Sequence, residues 1–172
     1  MAYRPSTLVQ WSWEHPPSCL STVVVKPLKS GARVEEHNAF AHFALSCQCG
    51  ASAWHVLGHI PEPDLFLCPL SLRCSRCTRV AVIFDVETHG YDAELGNGCS
   101  SRRAEGNQVE LACAKCRGAV FGATAIVSYQ FEESEFDGEE RSKIHDLFDV
   151  FALGVLCQAC GHATTVCDYE CA

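Results

Sequence analysis

With 172 residues, a net charge of −8 and 13 cysteines, the chain has the size of one ordinary domain or two small ones. Hydrophobic residues make up 48% of it, enough for a packed core, so disorder is excluded as the default. The acidic balance, with a pI of about 5.4, gives no overall attraction for nucleic acid, and no stretch approaches the roughly 20 apolar residues of a membrane span.

Residues 1–18 are rich in Pro, Ser and Trp, with Trp11, Trp13 and the pair Pro16-Pro17. They predict an extended arm whose tryptophans pack on the body. No apolar run of signal-peptide length follows Met1, which predicts a reducing, cytoplasmic setting in which paired cysteines serve metals rather than disulfides. Residues 20–25 are β-branched and read as a strand stopped by Pro27; residues 26–38 are polar and read as a loop.

From residue 39 a unit runs twice. Residues 39–46 lead as a strand into Cys47-Gln48-Cys49, and residues 53–57 leave it. After a Pro-rich turn, residues 65–72 enter Cys74-Ser75-Arg76-Cys77 and residues 80–84 leave as a strand. In the second half, residues 109–112 enter Cys113-Ala114-Lys115-Cys116 and residues 119–131 leave it. After an acidic stretch, residues 147–156 enter Cys157-Gln158-Ala159-Cys160, and residues 163–166 leave. The order is that of a zinc ribbon, and it divides the chain into an arm and strand (1–38), a first ribbon-like unit (39–94), a Gly-rich linker (95–108) and a second unit (109–172). One helix is expected near residues 139–154. Asp137 to Glu140 has the form of a capping box, and Ile144, Leu147, Phe148 and Phe151 share a helical stripe that Gly154 would end. The competing reading makes residues 147–156 a strand, and a combined reading keeps a helical turn near 139–146 with extended chain after it.

Two thiolates on a tight turn grip one metal ion from one side, and a second such turn completes a tetrahedron. Four pairs therefore predict two zinc ions, held by Cys47, Cys49, Cys74, Cys77, Cys113, Cys116, Cys157 and Cys160. Iron, cobalt or an iron–sulfur cluster would accept the same ligands; the separated, strand-flanked halves favour zinc. Sequential pairing joins the first turn to the second and the third to the fourth; interleaved pairing joins the first to the third and the second to the fourth. Short connections favour the sequential arrangement, which predicts two lobes. A glycine after the second cysteine eases a positive φ: Gly50 and Gly161 fit, Gly118 is one position late and Thr78 does not fit. Arg73, Arg76, Arg79, Lys115 and Arg117 gather at two turns, where they offset thiolate charge or, in the alternative, form a nucleic-acid face.

Of the remaining cysteines, Cys68 reads as a buried hydrophobe, and Cys19, Cys99, Cys167 and Cys171 have no assigned role. His89, Tyr91 and Asp92 lie in a dense polar cluster after a strand, a candidate binding loop; the plainer reading is a strand end with a turn at His89-Gly90. His55 and His59 fall on one face of a strand, and His162 follows the last turn.

The segment from Cys47-Gln48-Cys49-Gly50 to Trp54-His55-Val56 resembles the opening motif of the glutathione-dependent formaldehyde-activating enzymes, which have a β-tent fold. The resemblance implies a zinc-bearing β fold, interleaved pairing, and a zinc- and thiol-dependent carbon–sulfur lyase activity. That family continues with C-x-C-x-x-C, where this chain has Leu72-Arg73-Cys74-Ser75-Arg76-Cys77, and then C-x-x-C-G, where Arg117 follows Cys116. Together these readings predict a mainly β protein of duplicated zinc-ribbon-like or β-tent antiparallel sheets with one short helix. They predict a non-catalytic module that binds a protein partner or regulates one. The zinc/thiol enzyme and a nucleic-acid-binding zinc ribbon stand as alternatives.

Overall fold

A computed structural model describes residues 5–30, 32–35, 38–59, 67–89, 104–130, 146 and 148–170. The chain enters as a helix, α1 (Pro5–Glu14), and not as the extended arm expected. Pro5 sits at the first helical position, where its missing N–H costs nothing, and Pro16-Pro17 stop the helix. Val9, Ser12 and Trp13 fall at i, i+3 and i+4; Val9 and Ser12 are buried, and both Trp11 and Trp13 pack on the core as anticipated. The prolines that read as loop chemistry thus bracket an amphipathic helix.

A single 3₁₀ turn, Ser18–Leu20, seats Cys19 and Leu20 in the core. The first strand, β1 (Val24–Pro27), starts later than the sequence suggests. Next comes β2 (Arg33–Glu35), inside the expected loop; it exists because it folds back on β3 (Asn38–Ser46), Arg33 facing Phe40. Along β3, alternate residues Ala39, Ala41, Phe43 and Leu45 are buried, the period-two pattern of a strand with one face inward. The first half then runs through β4 (Trp54–His59), β5 (Leu67–Cys74), β6 (Val80–Phe84) and the four-residue helix α2 (Val86–His89). The second half supplies β7 (Val109–Glu110), β8 (Phe121–Gln130), β9 (Val150–Cys157) and β10 (Ala163–Glu170). Of the helix expected near 139–154, residues 139–145 and 147 lie outside the described residues. From Val150 the chain is strand, and Gly154 stands mid-strand opposite Thr124. Pairing with β8 overrides the helical stripe there, and Phe148 and Phe151 are buried all the same.

The fold is mainly β, a curled antiparallel sheet in the order β1-β3-β8-β4-β5-β6, with β9 and β10 branching from β8, β2 from β3, and β7 from β4. Here the expectation of two ribbons, each with its own sheet, needs correction: one sheet holds strands of both halves. β3 of the first half runs along β8 of the second, from Asn38↔Gln130 to Ala44↔Thr124, while β7 of the second half runs along β4 of the first.

The registers of the halves correspond. Trp54 faces Cys74, and Arg73 faces Val80; Phe121 faces Cys157, and Leu156 faces Ala163. Three residues before Cys47, Ala44 faces Thr124; three residues before Cys113, Glu110 faces Leu57. Trp54 and Phe121, the corresponding residues, face each other. The halves are therefore related by a local twofold between Trp54 and Phe121, and each lends its entering strand to the other. Across this join Phe84 of β6 stacks on Phe151 of β9 at 4.5 Å and on Tyr169 of β10 at 5.5 Å. The Trp54 indole N–H donates to the Leu45 carbonyl at 3.1 Å.

Candidate metal centres

Each cysteine pair caps the turn between two strand segments, and the four turns share one hydrogen-bond pattern. The N–H of the first cysteine closes the turn: Cys47 to Ala51 O (2.7 Å), Cys74 to Arg79 O (2.9 Å), Cys113 to Gly118 O (2.8 Å) and Cys157 to His162 O (2.9 Å). The residue after the second cysteine donates back to the first: Gly50 to Cys47 O, Thr78 to Cys74 O, Arg117 to Cys113 O and Gly161 to Cys157 O, at 2.8 to 3.0 Å. Those four residues have φ of 84°, 60°, 64° and 70°. Thr78 and Arg117 thus adopt the left-handed conformation that the sequence reading reserved for glycine. Gly118 has a different use: a Cβ there would lie 3.3 Å from Cys116 Sγ and 3.5 Å from Cys157 Sγ, so its lack of side chain lets the backbone approach the sulfurs.

The sulfurs gather in two groups, Cys47, Cys49, Cys74 and Cys77, and Cys113, Cys116, Cys157 and Cys160, all within 4.8 Å of one another in each. The grouping is sequential, not interleaved. The sulfur–sulfur edges measure 3.6 Å for Cys47–Cys77 and Cys49–Cys74, 3.7 Å for Cys113–Cys160 and 3.5 Å for Cys116–Cys157. A tetrahedron with metal–sulfur bonds of about 2.3 Å has edges of about 3.8 Å, so both groups match the cage of one thiolate-bound ion. The first cysteine of each pair is buried and the second exposed.

Backbone donors favour thiolate in places. The Arg76 N–H points at Cys74 Sγ and the Gly118 N–H at Cys116 Sγ, each at 3.4 Å. The Cys77 N–H, aided by that of Arg76 and opposed by burial, pulls Cys74 down to about 6. The Cys116 and Lys115 N–H groups pull Cys113 down to about 7. At Cys47 the Cys49 N–H lowers the thiol, but burial and the neighbouring thiols outweigh it and push it up to about 11. At Cys116 the Gly118 N–H is outweighed by the Cys160 and Cys157 thiols, and the value rises to about 12. Each group therefore mixes readily ionised and reluctant thiols, the arrangement a cation resolves by replacing protons.

The basic residues divide. Arg76 Nη1 donates to the Cys49 carbonyl at 3.4 Å, and Arg79 Nη1 to Gln48 Oε1, so both cross from the second turn to the first. Arg73 instead donates to Glu110 Oε2, whose other oxygen meets His55 Nδ1 at 2.6 Å. Sequence reading missed this cluster, because Glu110 is brought to His55 and Arg73 only by the exchanged strand β7. His55 and His59 do not share surroundings. A register shift between Leu57 and His59 leaves His59 buried. His162 serves the last turn through its carbonyl. Of the candidate loop, His89 is tied to its own helix start, with the Asp85 N–H donating to Nδ1 at 3.0 Å; burial lowers its pKa against the pull of Asp85 and Asp146. Tyr91 and Asp92 lie outside the described residues, as do Cys99 and Cys171. Cys19, Cys68 and Cys167 are buried, and burial pushes the Cys167 thiol up. Among the described residues no helix is long and apolar enough to cross a membrane. Comparison with known protein families, with characterised proteins and with solved structures finds no match.

Proposed function

We propose that each sulfur group holds one zinc ion as a closed structural site, and that the chain is a non-catalytic module acting through contacts with a protein partner in the reducing cytoplasm. The observation that carries this is the ligand set: four protein sulfurs lie within 4.8 Å of one another in both groups. A catalytic zinc keeps one position for water or substrate, and here a protein thiolate stands in that place. The missing counterpart of the lyase motif at Leu72 supports the same reading, since Leu72 is a buried apolar side chain of β5. A net charge of −8, and the use of Arg73, Arg76 and Arg79 within the fold, support a protein rather than a nucleic acid as partner. Val80 and Val82 stand exposed on β6, at one end of the sheet, and support such a contact.

Cobalt substitution with added reduced glutathione tests the closed sites. The visible spectrum should be that of tetrahedral four-thiolate cobalt, unchanged by millimolar glutathione. A spectrum that shifts on addition of the thiol would mean an open position and would restore the lyase reading.

A further inference from the structure

The local twofold makes the two sulfur groups comparable position by position, and the comparison is unequal. Arg76 and Arg79 in the second turn correspond to Ala159 and His162 in the fourth, each taken by its distance from the preceding cysteine. In the first group those two guanidinium groups cross to Cys49 O and Gln48 Oε1 and so lock one turn onto the other. Lys115 and Arg117 stand at the third turn, so cations lie beside both groups, and the difference is in the hydrogen bonds that cross from turn to turn. Among the described residues, no side-chain hydrogen bond other than the sulfur contacts joins the two turns of the second group.

The sheet beside the turns differs in the same sense. In the first half, the positions next to Trp54 and Cys74 hold His55 and Arg73, bound to Glu110. The corresponding positions in the second half are Gly122, Leu156 and Ala44. They line a hollow of about 550 Å³ that reaches Gln158, inside the fourth turn, and Ser46 and Ser52, on either side of the first turn. The sheet face beside the fourth turn is thus open where ion-paired side chains cover its equivalent beside the second turn.

We infer that the sites are functionally distinct: Cys47, Cys49, Cys74 and Cys77 form the fixed site, and Cys113, Cys116, Cys157 and Cys160 the exchangeable one, from which zinc passes to a competing chelating ligand. This rests on the reading of both groups as zinc sites. The transfer is ligand exchange without redox change: Zn²⁺ leaves four thiolates for the acceptor, and the vacated sulfurs take up protons from solvent. Partners outside the ligand shell commonly govern 10–100-fold in metal affinity, so a rate difference of about tenfold or more is expected.

The test is zinc release from the intact protein to an excess of a chromogenic pyridylazo chelator, followed in parallel by amide NMR. Two equal phases should appear, with the Gly118 and Gly161 signals changing in the fast phase and Gly50 in the slow one. Arg76→Ala/Arg79→Ala, which alters only exposed side chains, should bring the slow phase close to the fast. Release of two zinc ions in a single phase would overturn the inference while leaving both zinc sites standing, as would a fast phase that reports on Gly50. Release of fewer than two ions in total would instead overturn the zinc reading itself.

Discussion

Thr78 and Arg117 hold φ of 60° and 64° in turns where two of the four equivalents are glycine. Left-handed backbone costs an L-residue with a Cβ roughly 1 kcal/mol, and Thr, branched at Cβ, tolerates it worst. They accept it because each N–H closes the bond to the first cysteine's carbonyl. Arg117→Gly should therefore stabilise the protein by about 0.5–1 kcal/mol, and Gly161→Ala should destabilise it by a similar amount. Denaturant unfolding of the metal-loaded protein checks both; equal stability of Arg117→Gly and the parent would deny strain at that turn. Gly50 and Gly161 announce their turns in the sequence. The turns at Thr78 and Arg117 were legible from the cysteine spacing alone, since sulfur geometry and two backbone bonds impose the conformation whatever side chain is present. Cys160→Ser should lower the zinc content from two ions to one; retention of two would remove Cys160 from the ligand set.

At the scale of elements, the Arg73–Glu110–His55 cluster ties β5, β7 and β4 together. Burial is the largest single influence and raises the Glu110 carboxyl, but the hydrogen bonds and charges of His55 and Arg73 together outweigh it and hold the group below the usual carboxylate range. Its contribution is thus present above the ordinary glutamate range and lost as pH falls through the lowered folded value. The side chains are about a third exposed, so the contribution is small, about 0.5 kcal/mol. Acid also protonates the zinc ligands, so the cleaner readout is salt at neutral pH. Glu110→Gln should lower the melting temperature slightly at low ionic strength, with the difference shrinking in 1 M salt. A difference that salt leaves unchanged would mean that Glu110 acts by packing. Strands such as β3 and β6 were legible because apolar residues alternate or run unbroken. The strand β2 was not: nothing in Arg33-Val34-Glu35 marks it apart from its fold back onto β3. Phe148 and Phe151 fit a helical stripe as well as they fit the aromatic cluster around Phe84, and only the partner strand β8 decides between them.

Across the whole molecule, sulfur grouping and sheet pairing follow different rules. The sulfurs pair within each half, as the short connections suggested, yet the strands exchange between halves, so sequential ligation does not produce two lobes. Nothing in the cysteine spacing encodes that exchange; it follows from burying Ala41 and Phe43 of β3 along β8. A fragment of residues 1–98 keeps all four ligands of the first group but lacks β8. It should bind one metal ion and show no cooperative thermal transition; a fragment that melts as sharply as the full chain would contradict the shared sheet. The central claim, two closed four-thiolate zinc sites, is tested most directly by zinc K-edge absorption on protein purified without added metal, normalised to protein concentration. Two zinc ions per chain are expected, each with four sulfurs at about 2.3 Å and no nitrogen or oxygen neighbour. Fewer than two ions, or a shell containing a light ligand, would contradict it.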